Sequence, residues 1–213
     1  MTLTILVTGF GPFPGSPFNP TAPLIRRIAR TRRPILADTT VIGHVFPTSY
    51  AAVDRELPSL VARYRPDALL MFGLAPRARG IRVETRARNA LTALPDAAGF
   101  SLDRNAIAPG RPASVRLPTP APLLLASLRD ARTPAVLSRD AGRYLCNYLC
   151  WRATEIALSG DKPRLLAFIH VPLVRRGAGR KRAKGLPGLD DLFVAGSRAL
   201  AALAAATRHR RCA

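Results

Sequence analysis

Three residues of the chain have side chains suited to a nucleophilic relay: Cys146, His170 and Glu84. Cys146 follows the small-residue turn Asp140-Ala141-Gly142 and stands early in an apolar helical pattern running from Tyr144 to Leu158. Backbone N–H groups and the positive dipole end at a helix start favour thiolate over thiol, so a cysteine there can act as a nucleophile near neutral pH. A cysteine between Leu145 and Leu149 also fits core packing, because free cysteine is among the most buried residue types. A partner base decides between the two. His170 closes the apolar run Arg164 to Val171, just before Pro172, and Glu84, one of three glutamates in the chain, sits among Arg82, Arg86 and Arg88. An imidazole can take and return the thiol proton, and a carboxylate can fix the imidazole's tautomer and orientation. The alternative for Glu84 is a salt-bridged surface carboxylate.

Such groups converge only if regular elements carry them to one place. The spacing predicts strands over Thr2–Thr8, Thr39–Phe46, Asp67–Gly73, Gly80–Asn89, Ala135–Ser138 and Arg164–Val171. Helices are expected after Asn19, which serves as N-cap to Pro20 with Leu24, Ile25 and Ile28 on the buried face, and over Ser49–Tyr64, bent or interrupted at Pro58. Further helices are expected over Ala121–Leu128, Tyr144–Leu158 and about 189–208, while Ala90–Pro120 reads as loop-rich and positioned to rim a site. This alternation predicts a single α/β domain over residues 1–213, three-layered α/β/α with a central mixed, largely parallel sheet. Loops leaving central strands carry ligand contacts in such folds. Gly9 to Gly15 is one such loop, and its glycine spacing matches neither a dinucleotide nor a phosphate-binding fingerprint. Phe10 and Phe13 there either cap the core or wall an apolar pocket.

With 213 residues, 48% hydrophobic and 22% charged, the composition is globular. The apolar stretches are too short or too alanine-rich to span a bilayer, and the opening residues lack a basic leader, so a soluble cytoplasmic protein with no membrane partner is expected. Three cysteines without framework spacing predict neither a disulfide scaffold nor a structural zinc site, and no metal. The net charge of +20 raises nucleic-acid binding as a function class. The arginines, however, are spread along the whole chain. The one cluster, Arg175 to Gly185 within a basic loop at about 173–187, has no interleaved aromatics to stack bases. Nucleic acid is therefore not the expected partner.

The motifs resemble those of pyroglutamyl peptidase I, the pyrrolidone-carboxylate peptidases of the C15 cysteine peptidase class. Thr8-Gly9-Phe10, Pro12-Phe13 and Asn19-Pro20 look like the family's opening segment. Glu84 with Asn89 resembles its glutamate segment, Ala141-Gly142 to Cys146-Asn147 its nucleophile segment, and Phe168-Ile169-His170-Val171-Pro172 its histidine segment. The resemblance implies Cys146 as nucleophile, His170 as general base and then acid, and Glu84 as orienting carboxylate. It also implies Phe10 and Phe13 as walls around a pyroglutamyl ring, with Asn19 and Leu74 among the substrate-binding positions. The implied substrate is a peptide with an N-terminal pyroglutamate, cleaved without a cofactor by a cytosolic homo-oligomer, dimer or tetramer. Departures fall near the substrate rather than in the relay. Leu74 stands where the family usually has glutamine, no arginine precedes Pro95-Asp96, and Gly11 replaces a commonly acidic residue. Arg77, Arg79, Arg86 and Arg88 are the candidates to replace the missing arginine. A C15-like hydrolase with a changed acyl group, and a basic nucleic-acid-binding protein on the same scaffold, are the alternatives.

Overall fold

The computed structural model describes residues 2–13, 15–129, 133–160, 162–175 and 185–212. Most of the basic loop expected at about 173–187 lies outside the described residues. Strands β1 (Leu3–Phe10), β2 (Thr39–Phe46), β3 (Ala68–Leu74), β4 (Ile81–Glu84), β7 (Ala135–Ser138) and β8 (Leu165–Val171) form a six-stranded sheet in the order β2-β1-β3-β8-β4-β7. Neighbours are parallel except at β4 and β8, which pair antiparallel, so the sheet is mixed and largely parallel. Every residue of β3 and β8 is buried. That is the reason they read as unbroken apolar runs, since helices cover both faces of a central strand in this fold class.

Alternation along these strands sorts the core into two halves. Leu70 and Phe72 of β3 and Ile169 and Val171 of β8 pack with helices α1 (Thr21–Ala29), α3 (Ala121–Leu128) and α5 (Leu189–Cys212). Leu69 and Met71, with Leu166 and Phe168, pack on the other face with α2 (Tyr50–Tyr64) and α4 (Leu145–Ser159). The next residues on that second face are Gly73 and His170, which lie side by side in the β3–β8 register. On β4, Glu84 pairs with Phe168 and Arg82 with His170, which sets Glu84 diagonally across from the histidine. Strand register alone thus brings the acid and the imidazole onto the face that α4 covers.

Several expectations are corrected. β1 continues past Thr8 because Gly9 and Phe10 keep register with Val45 and Phe46, so Phe10 is a strand residue and not part of the loop. The single strand expected over Gly80–Asn89 breaks at Thr85, whose N–H donates to Ser138 O. Its second half, β5 (Arg86–Arg88), leaves the sheet and pairs antiparallel with β6 (Ser114–Arg116), inside the region read as loop. Helix α2 runs unbroken through Pro58, which is solvent-exposed, so that water can meet the carbonyl left without a donor. Helix α1 begins at Thr21, and Asn19 still serves its first turn, its Oδ1 accepting the Thr21 N–H at 3.1 Å.

Candidate active site

Cys146 is the second residue of α4, and the turn before it is built for that entry. Asp140 Oδ1 accepts the Gly142 N–H at 3.0 Å, and Gly142 takes φ 85°, a left-handed conformation that side chains resist. Tyr144 is extended, and its carbonyl accepts the Tyr148 N–H at 3.0 Å, so Leu145, Cys146 and Asn147 contribute the first N–H groups of the helix. Asn147, fully buried, fixes the helix against β5. Its Oδ1 accepts Arg88 N–H at 2.7 Å, and its Nδ2 donates to Arg88 O at 2.8 Å and to Ala90 O at 3.2 Å. A polar side chain inside an apolar helical run must find such partners, and that was the available signal for it.

His170 Nδ1 lies 2.8 Å from Glu84 Oε1, with the two residues 6% and 0% exposed. Glu84 is therefore not a surface carboxylate. Its Oε2 is buried without a partner among the described residues. Cys146 lines the same cavity as this imidazole, and since Glu84 takes Nδ1, Nε2 is the nitrogen left for the sulfur. Burial alone would lower the His170 pKa. The Cys146 sulfur and then the Glu84 carboxylate outweigh burial and raise it to about 9, so the ring keeps its proton at neutral pH. One turn further along α4, burial drives the Cys150 thiol well above its usual value, with Cys146 and Glu84 adding to the effect. The space for the Cys146 sulfur comes from Gly73, where an added Cβ would stand 2.6 Å from Cys146 Sγ and 2.8 Å from Phe168 Cζ.

Cys146 and His170 open into a cavity of about 420 Å³ whose other walls include Phe13, Leu74 and Tyr144. The ring centroids of Phe13 and Tyr144 are 6.4 Å apart, Tyr144 stands edge-on to Tyr50, and Tyr50 stands edge-on to Tyr148 in the core. Phe10 is 2% exposed, packs on Phe46 at 6.0 Å and stands behind the cavity rather than among its lining residues, so the aromatic pair at the wall is Phe13 with Tyr144. Asn19, also buried, donates to Gly11 O at 3.0 Å and accepts from both the N–H and hydroxyl of Thr21. Its amide holds the loop after β1 in shape. Of the arginines considered as replacements, Arg77 lines the cavity, Arg86 bonds Ser114, and Arg88 pairs with Asp140. Arg82 and Arg143 also line it, and sequence reasoning had not singled them out.

The region between β5 and β6 is tied to the site by two polar anchors. Asn89 exchanges hydrogen bonds with the Ala108 backbone at 2.7 and 2.8 Å. Asp96, almost fully buried, accepts the N–H groups of Tyr50, Ala98 and Phe100, and so supplies a remote carboxylate cap to α2. Burial raises its pKa, and these N–H donors with the Ser49 hydroxyl more than reverse that, leaving it lowered. Tyr144 hydroxyl donates to Pro95 O at 2.9 Å, which joins this loop to the cavity wall.

The sequence profile of the pyroglutamyl peptidase family, peptidase C15, matches residues 3–208. The pyrrolidone-carboxylate peptidase of Pyrococcus furiosus is 33% identical over 185 residues, 86% of this chain and 87% of its own length. That of Cupriavidus necator is 30% identical over 208 residues, 96% of this chain and 94% of its own. The solved pyrrolidone carboxyl peptidase from Thermococcus litoralis superposes with a TM-score of 0.85 at 28% identity, covering 98% of this chain and 96% of that one. Sequence and fold agree, and the chain belongs to the pyroglutamyl peptidase family.

Proposed function

We propose that the protein is a cysteine exopeptidase that hydrolyses the amide bond after an N-terminal pyroglutamyl residue. The observation that carries this reading is the His170 ring, 2.8 Å from Glu84 Oε1, sharing the wall of a small cavity with Cys146. The Cys146 thiolate attacks the acyl carbonyl carbon, a C–S bond forms, and the carbonyl electron pair moves onto oxygen. N–H groups at the start of α4 stabilise that oxyanion. His170, protonated and oriented by Glu84, donates its Nε2 proton to the leaving amine as the C–N bond breaks. The neutral ring then takes a proton from water, whose oxygen attacks the thioester, and release of pyroglutamate restores thiolate and imidazolium. Every step uses a protein group or water.

A pyroglutamyl ring is small, flat and neutral, and Phe13, Tyr144 and Leu74 offer apolar surface of that scale. Leu74, apolar and in the cavity wall, also favours a second reading in which the same relay serves a different acyl group. Release of a fluorescent amine from pyroglutamyl, prolyl and alanyl amides separates the two. Turnover of the pyroglutamyl amide alone, lost in Cys146→Ser, supports the first reading. Turnover of another acyl amide in its place supports the second, and turnover undiminished in Cys146→Ser sinks both. The proposal extends to a cytoplasmic homo-oligomer, supported by the family resemblance and checked by sedimentation of the purified protein.

A further inference from the structure

Three arginines from separate segments meet at the mouth of the Cys146 cavity: Arg77 from the loop after β3, Arg82 on β4 and Arg143 from the turn before α4. All three are exposed, and none has an ion-pair or hydrogen-bond partner among the described residues. Some other surface arginines are engaged, as in Arg27 with Asp190, Arg88 with Asp140 and Arg152 with Asp54 and Glu155, so what sets these three apart is their convergence on one cavity. The acid in the cavity wall, Asp140, is already committed, its Oδ2 accepting from Arg88 at 2.9 Å and its Oδ1 from the Gly142 N–H at 3.0 Å. Arg82 stands directly opposite His170 in the strand register, and Arg143 lies three residues ahead of Cys146. The three guanidinium groups and the Cys146 sulfur thus belong to one cavity wall.

Building on the pyroglutamyl peptidase reading, we propose that this arginine mouth binds a carboxylate of the leaving peptide, so that preferred substrates carry a negative charge immediately after the pyroglutamyl residue. The planar guanidinium fork matches a carboxylate in shape as well as in charge. That carboxylate can be an acidic side chain or the free C-terminus of a pyroglutamyl dipeptide.

Alkylation tests the mouth without any peptide turnover, because iodoacetate and iodoacetamide share a reactive carbon and differ in charge. The ratio of their rates at Cys146 falls about tenfold when Arg77, Arg82 and Arg143 are all changed to Gln, and it falls with added salt in the unmodified protein. The same loss of three charges at Arg30, Arg32 and Arg33, which lie at the far end of α1, leaves the ratio in place. Arg82→Glu alone lowers it in the same direction, which covers poor folding of the triple variant. A ratio that the mouth substitutions do not move, or that the distant ones move equally, overturns the proposal. The second arm compares kcat/KM for pyroglutamyl-alanine, its amide, pyroglutamyl-glutamate α-amide and pyroglutamyl-lysine amide. Faster cleavage of either carboxylate compound supports the mouth and identifies the source of the charge. Equal rates across the set overturn the preference and leave the peptidase reading standing. Failure to cleave any of them removes the peptidase reading, and the alkylation ratio then decides the mouth by itself.

Discussion

Asp67 and Glu84 are both buried carboxylates of the central sheet, and the protein treats them in opposite ways. Asp67, just before β3 at the end of the sheet away from Cys146, is saturated. Its Oδ2 accepts the Thr4 N–H at 2.8 Å, and Lys162 and Arg211 each reach its Oδ1 at 2.6 Å. Burial works to raise its pKa, and Lys162, the Thr4 N–H and Arg211 together bring it below the usual carboxylate range. Glu84 has one partner, His170, and an oxygen with none among the described residues. The arginines at the nearby cavity mouth are unpaired among the described residues, while Lys162 and Arg211 are engaged with Asp67. A fully paired acid ties strand ends and a helix terminus together. An underpaired one keeps its field for a titrating neighbour, which is the condition a relay needs.

The largest effect that sharpens this contrast is expected from His170→Ala, which removes at least about 10³-fold of kcat/KM by deleting the proton carrier. Steady-state kinetics on a pyroglutamyl amide checks it, and wild-type-like turnover removes the mechanism. Glu84→Gln should cost less, about 10²-fold, because an orienting group is partly replaceable. Its diagnostic is the pH profile. The folded His170 pKa, about 9, lies above the ordinary histidine value of 6.5. His170's contribution to stability is therefore full below about 6.5 and is lost as pH rises through about 9, and kcat/KM falls as pH passes about 9 and the leaving amine loses its acid. Glu84→Gln removes an anionic partner and moves that alkaline limb to lower pH, whereas an unmoved limb would detach Glu84 from the histidine.

Gly73→Ala comes next. A Cβ 2.6 Å from Cys146 Sγ and 2.8 Å from Phe168 Cζ forces both to shift, lowering kcat/KM by about 10- to 10²-fold and stability by about 1–3 kcal/mol. Unaltered kinetics would mean that the sulfur has room to spare. The smallest effect on catalysis is expected from Asp67→Asn. It costs about 2 kcal/mol, lowering Tm by about 6 °C, while kcat/KM stays within about twofold. Thermal melts and kinetics on the same sample separate the two ends of the sheet. Equal loss of stability and turnover would merge them.

The residues proposed for the relay were legible as candidates because each carries its own local signal: a cysteine after a small-residue turn, a histidine near the end of an apolar strand, a rare glutamate. The layers were legible for a similar reason, since Ala68–Leu74 and Leu165–Ile169 carry no polar side chain. Register was not. Nothing local to Gly73 says that it will lie beside His170 and beneath a sulfur from α4, and its role emerges only once three elements are in place. Asp96 was equally silent, because the helix it caps begins 46 residues earlier in the chain. β6 is three residues long and gains its meaning from β5, so its alternation was too short to read. Phe10 misled for a physical reason, since a Gly-flanked aromatic reads as a turn until the neighbouring strand extends the ladder through it. The arginine mouth was hidden by abundance, with 33 basic residues leaving no reason to single out Arg82 or Arg143.

The central claim is that Cys146 carries the acyl group between two proton transfers at His170. Rapid mixing of enzyme with a pyroglutamyl ester, acid quenching and mass analysis of the digested protein tests it most directly. The account predicts one pyroglutamyl group on the peptide holding Cys146, sensitive to hydroxylamine, building up within the first turnover and absent from Cys146→Ala, which also fails to turn over. Product formed at the wild-type rate by Cys146→Ala, or an acyl group found on another residue, would contradict it.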